Sequence, residues 1–150
     1  YNDTHSKTQG DIANLMFSLG VDAIIGTHPH RVQKGDYNEE TGFLVAYSLG
    51  DFFGDGKDAG TNYSIILDME ITRDNATGEV FLSDWDYTPI YTLKPEQSVI
   101  GGHRVVRIRE AMERYEAEFV GRITEETYST MERVLDRIDE RVNPKPDSEE

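Results

Sequence analysis

The strongest constraint on the fold is the stretch Gly20-Val-Asp-Ala-Ile-Ile-Gly26, a nearly continuous apolar run closed by glycine at both ends. A run of this kind suits a short strand buried on both faces. Ahead of it, Ser6 and Gln9 have capping-box spacing, and Ile12, Leu15, Met16 and Leu19 recur at helical intervals until Gly20. An amphipathic helix is therefore predicted over residues 8–19. Helix, glycine, buried strand is an α/β unit.

Further along, residues 43–48 are predicted as a second strand, reached through a polar surface turn at 37–42. Residues 51–61, rich in glycine and aspartate, are predicted as a flexible loop. Residues 63–71 and 79–87 alternate well enough for an antiparallel hairpin joined through Asp74-Asn-Ala-Thr-Gly78. From about Gly102 a 3.6-residue stripe follows, Val105, Ile108, Met112, Tyr115 and Phe119. It resumes at Tyr128, Met131, Leu135, Ile138 and Val142. One bent helix or two are expected, with Ser129 and Glu132 spaced as a capping box that favours two. Three units follow: residues 1–100, a helical extension over 101–142, and a disordered tail over 143–150.

With 37% hydrophobic residues the chain can bury a real core. A net charge of −14 argues against a nucleic-acid partner, which needs clustered Lys and Arg. Sixteen of the acidic residues lie in the first 100 positions, against six basic ones. The absence of cysteine excludes disulfides and thiolate metal sites, so any metal takes nitrogen and oxygen ligands. No 18-residue apolar run and no basic, apolar leader is present, so no membrane segment or signal peptide is expected within these residues. The chain opens at Tyr1, which leaves upstream sequence open.

The chemistry-bearing motif is Gly26-Thr-His-Pro-His-Arg-Val-Gln33. Pro29 disfavours helical geometry at His28, so His28 and His30 are predicted in an extended segment with both rings on one side, roughly 6.5 to 7 Å apart. They follow a strand, where ligands gather in open α/β sheets, and Gly26 gives the turn room. Two imidazoles at that spacing reach one metal, or one each of a pair roughly 3.5 to 4 Å apart. A nitrogen and oxygen set suits zinc, manganese or iron. Three other positions are expected to be structural: His5 at a helix entrance, His103 in a turn, and Trp85 packing one face of a strand. No EF-hand, P-loop, Rossmann or G-x-S-x-G pattern occurs.

Residues 20–33, followed by Val45-Ala-Tyr-Ser-Leu-Gly-Asp-Phe-Phe53, closely resemble the paired signatures of the bacterial CapA-type capsule synthesis family, the poly-γ-glutamate biosynthesis proteins. That family is similar to the calcineurin-like metallophosphatases. The resemblance implies an α/β fold, the C-terminal half of a metallophosphatase-like β-sandwich flanked by helices, with a C-terminal helical segment. It implies that His28 and His30 hold metal, two divalent transition ions (Mn, Fe or Zn), and that Gly26, Thr27, Tyr47, Ser48, Gly50 and Asp51 form the adjoining loops. Two departures stand out: Thr27 and Asp51 occupy positions where the family usually has His and Asn.

The family's earlier motifs, an acidic residue by the first strand, an Asn-His pair and a His-Trp-Gly segment, do not occur in these 150 residues. The implied partner is therefore the N-terminal half of the same protein or a second chain, and the implied ligand a phosphoester or polyglutamate. The implied function is capsule or poly-γ-glutamate formation with a metal-dependent phosphoesterase-like site. The implied location is the cell envelope, extracytoplasmic and membrane-associated through upstream sequence. The alternative is a non-catalytic envelope scaffold, or polymer-binding component, of the same fold.

Overall fold

A computed structural model describes residues 1–54 and 56–142; the tail over 143–150 and Asp55 lie outside the described residues. The element order is α1 (Lys7–Ser18), β1 (Ala23–Ile25), β2 (Gly35–Asn38), β3 (Phe43–Ala46), β4 (Tyr63–Arg73), β5 (Val80–Leu93), a 3-10 turn (Pro95–Gln97), β6 (Arg104–Arg107), α2 (Ile108–Glu116) and α3 (Glu125–Arg141). Two three-stranded sheets result, ordered β1-β3-β2 and β4-β5-β6. The fold is α/β, as the sequence predicts.

Helix α1 starts where its capping box predicts: Gln9 N–H donates to Ser6 Oγ (3.2 Å) and Ser6 N–H to Gln9 Oε1 (2.7 Å). It ends at Leu19, with Gly20 at φ +91°. Its orientation, however, reverses the expected one. Ala13 is buried and Phe17 stacks on Phe43 (4.8 Å, 6°), while Ile12, Leu15 and Leu19 are 52%, 58% and 76% exposed. Gly10 lies against His5 and Tyr47, and the larger apolar stripe points outward.

Strand β1 pairs parallel with β3, Ile24 opposite Val45, and forms one edge of its sheet. The expectation of a strand buried on both faces is thus corrected, since Ala23 and Ile24 are only half-buried and Ile25 is exposed, with β1 an edge strand among the described residues. Residues 35–38, the last two of which fall in the turn predicted over 37–42, pair antiparallel with β3 as β2. Polar residues serve there because β2 is the other edge.

In the second sheet, β4 and β5 form the predicted hairpin but run further, to Arg73 and Leu93. Its turn is fixed by Asp74 Oδ1, which accepts from Ala76 N–H (2.6 Å) and Thr77 N–H (3.1 Å). Val105 belongs to β6, opposite Thr92, and so leaves the predicted helical stripe. Adjacent β-branched Val105 and Val106 pack on a pleated surface better than in a helix. Ile108, Met112 and Tyr115 fall in α2 and Tyr128, Met131, Leu135 and Ile138 in α3, while Phe119 lies exposed in the turn between them; the cap of α3 is Thr124, whose Oγ1 accepts from Thr127 N–H, rather than Ser129.

The core lies between β5 and these helices, with Leu93, Ile108, Met131 and Ile138 at or near zero exposure. Trp85 is buried in it, as expected. Helix α3 also ties the two sheets together. Val142 bridges Gly35 of β2, and Arg141 donates to the Val32 carbonyl (3.0 Å).

Candidate functional site

The loops after β1 and β3 meet at the carboxyl ends of those two parallel strands. Gly26 makes the meeting possible. Its N–H donates to the Ala46 carbonyl (2.7 Å), and a Cβ there would collide with the Tyr47 carbonyl oxygen. The pairing of β1 with β3 thereby continues one residue into the motif and delivers residues 27–30 beside residues 47–51.

His28 and His30 come together with ring centroids 6.2 Å apart. The separation is close to that predicted, but the backbone is not extended. His28 has φ +101° and His30 φ +59°, both in the region that side chains rarely adopt. The segment turns rather than runs straight, so the rings converge through two left-handed residues and not through strand alternation. Strain of this kind costs on the order of 1–3 kcal/mol per residue and clusters at functional sites.

Asp51 reaches His30 across the loop junction: Oδ1 lies 2.8 Å from Nδ1. In neutral His30 the contact places the proton on Nδ1, which donates to the carboxylate, and leaves Nε2 with a free lone pair. Metal-ligating histidines are commonly oriented by a carboxylate on the other ring nitrogen. His28 and His30 are both exposed, and Phe52 and Phe53 extend into solvent beyond Asp51. Among the described residues, no group of three or more His, Asp and Glu is placed to hold a metal ion. His28, His30 and Asp51 are the nitrogen and oxygen groups that meet there.

The other predicted loop residues divide by role. Gly50, at φ +80°, packs against Ser64, and its N–H donates to Ser48 Oγ (3.3 Å). Ser48 is buried and its carbonyl accepts from Gln33 N–H (3.0 Å), so it shapes the loop and does not face the histidines. Tyr47 turns towards α1, where His5 stacks flat on it (3.8 Å, 6°). Burial, then the Asp36 carboxylate, raises the Tyr47 phenol above its ordinary pKa. His5 is structural at the helix entrance, as expected: Ser6 caps the helix and His5 packs on Tyr47. Thr27 is exposed at the turn, and His103 lies at the entry to β6.

Two features of the site have no signal in the sequence. The Tyr1 ring lies 5.5 Å from that of His30. Residues 2–4 are held there from three directions. Gln33 Nε2 donates to the carbonyls of Asn2 (3.0 Å) and Thr4 (2.9 Å), while Arg31 and Arg141 each place a guanidinium nitrogen 2.9 Å from the Asp3 carboxylate. Contacts across 28 and 138 positions of chain show no periodicity that a sequence pattern would reveal.

Residues 1–56 match the family described as bacterial capsule synthesis protein PGA_cap. Over 111 residues the chain is 31% identical to the capsule biosynthesis protein CapA of Bacillus anthracis, a match covering 71% of this chain and 25% of that relative. The chain thus spans about a quarter of the length of the curated relative. No solved structure matches it.

Proposed function

The chain belongs to the CapA-type family of bacterial capsule synthesis proteins, and on that premise we propose that it carries the histidine half of a metal-dependent phosphoesterase-like site serving poly-γ-glutamate capsule formation. The observation that carries this reading is the His30–Asp51 contact with His28 beside it. His28 and His30 hold the metal, through Nε2 in His30, and Asp51 fixes the tautomer and ring orientation. The chemistry a divalent metal supplies when bound is polarisation of a phosphoryl oxygen and acidification of water. Zinc, manganese and iron suit these donors.

The remaining ligands come from the N-terminal half of the same protein or from a second chain. The outward stripe of α1 and the open edge of β1 are the surfaces that half covers, completing a metallophosphatase-like sandwich. The same reading places the protein at the extracytoplasmic side of the membrane, attached through upstream sequence; no helix among the described residues is long and apolar enough to cross a bilayer. The acidic surface disfavours direct polyglutamate binding unless cations bridge the two.

The test is metal content by inductively coupled plasma mass spectrometry on the chain joined to its N-terminal half, comparing wild type with His28→Ala and His30→Ala. Near-stoichiometric transition metal that falls in both variants is expected. A wild type that takes up none after supply of zinc, manganese and iron sinks the proposal. Thr27, at a position where the family usually has His, favours a second reading, a non-catalytic scaffold of the same fold. Hydrolysis of bis(p-nitrophenyl) phosphate by the metal-loaded protein separates the two, because a scaffold leaves it intact.

A further inference from the structure

Two turns remote from the histidines carry apolar side chains into solvent. Val99 and Ile100 lie on one, Phe119 and Val120 on the other, with Ile100 69% and Val120 85% exposed. Single exposed apolar residues are ordinary, but four on adjoining turns form a patch. Backbone contacts lock the turns together: Val99 N–H donates to the Arg122 carbonyl (3.0 Å), Thr124 N–H to the Gln97 carbonyl (3.1 Å), and Ser98 bridges Ile123. The Ile100 side chain lies over Gly121 (φ +84°), in the space that a Cβ there would take. The apolar tips are therefore held side by side.

Behind them runs a groove of about 550 Å³ lined by Arg104, Arg107, Arg114 and Arg122, with Glu110 the carboxylate among its described walls. Arg104 is fixed by the carbonyls of Gly101 (3.1 Å) and Gly121 (3.4 Å). Arg114 pairs with Glu110 (2.7 Å) and lies over the Phe119 ring (5.5 Å). The groove is thus cationic in a chain of net charge −14, and its cations adjoin the exposed apolar tips.

We propose that this patch docks on a bilayer surface bearing anionic lipid, with Val99, Ile100, Phe119 and Val120 entering the headgroup and acyl boundary and the arginines meeting phosphates. A bilayer presents both complements in one object, an apolar layer beneath a layer of anions. Arginine is the cation best shaped for phosphate. At 0.15 M salt screening acts within about 8 Å, so the groove arginines outweigh the chain's distant carboxylates, while exposed Glu116 and Glu118, which precede Phe119, are the acids the docked face leaves in water.

The experiment is co-sedimentation of the chain with vesicles of phosphatidylglycerol and phosphatidylcholine, against phosphatidylcholine alone, at physiological salt. Three double variants are compared, each checked for fold by circular dichroism: Ile100→Asp with Val120→Asp, Arg107→Gln with Arg114→Gln, and Leu15→Glu with Leu19→Glu. The arginine pair is 68% and 57% exposed, so its replacement leaves the fold intact and keeps the test open should the first pair misfold. Expected is wild-type binding to the anionic vesicles, lowered at least tenfold in the first two variants and unchanged in the third. The proposal is overturned by a wild type that ignores anionic vesicles, by patch variants that bind as wild type does, or by loss in the α1 variant. Self-association through the patch without vesicle binding also overturns it and marks a protein interface instead.

Discussion

Asp51 Oδ1 sits 2.8 Å from His30 Nδ1, linking the loop after β3 to the loop after β1 across 21 positions of chain. It converts one of two exposed imidazoles into an oriented donor. In neutral His30 the proton is expected on Nδ1, read from the long-range nitrogen shifts of the imidazole by NMR. Asp51→Ala should return the ring to a tautomer mixture. Finding Nε2 protonated in the wild type would contradict the assigned role of Asp51.

Gly26→Ala tests how the two loops are brought together. The added Cβ meets the Tyr47 carbonyl, a backbone atom that cannot rotate away. Overpacking of this kind costs about 1–3 kcal/mol or more, which urea denaturation resolves as a lower midpoint. An unchanged midpoint would mean that the β1–β3 junction is looser than described.

Asp3 receives two guanidiniums whose side chains are only about one fifth exposed, Arg31 and Arg141. Asp3→Ala leaves both cations facing one another without their acceptor. Hydrogen bonds to charged groups contribute about 1.5–3 kcal/mol, and a loss of that order is expected. Release of residues 1–4 should also move Tyr1 from His30, visible as a changed ring-current shift on the His30 protons.

The pH dependence at the alkaline end follows from Tyr87. Its phenol is pushed up to about 12, first by burial and then by the hydrogen bond it donates to Asp139 (2.8 Å). The folded state therefore keeps a proton that the unfolded chain releases near pH 10. The stabilisation is complete below pH 10 and is lost as pH rises towards 12. Tyr87→Phe should flatten that decline in a series of denaturation curves. A decline identical in slope to the wild type would place its cause elsewhere.

Two apolar stripes that look alike in sequence should respond oppositely to substitution. Ile138 is fully buried, and Ile138→Ala is expected to cost about 2–5 kcal/mol. Leu15 is 58% exposed, and Leu15→Ala should stay within about 0.5 kcal/mol, as surface changes do. If the N-terminal half covers α1, Leu15→Glu instead weakens association with it, measurable by calorimetric titration.

Local signals in the sequence determined the elements whose causes are local. The Ser6–Gln9 cap, the Asp74 turn, the β4–β5 alternation and the stripe of α3 each depend on residues within one or two turns of one another, so their spacing is visible along the chain. The same holds for the pairing of His28 with His30 as neighbours. Tertiary structure alone decided which face of α1 is buried, that residues 35–38 pair as an edge strand, and that Val105 joins β6. Each depends on what lies across from it, and periodicity carries no information about the partner. It also decided the chemistry of the site. Asp51 meets His30, and Tyr1 lies beside it, because strand pairing and the Asp3 ion pairs bring remote segments together. The backbone of His28 and His30 turns left-handed, against the extended geometry that Pro29 favours at His28.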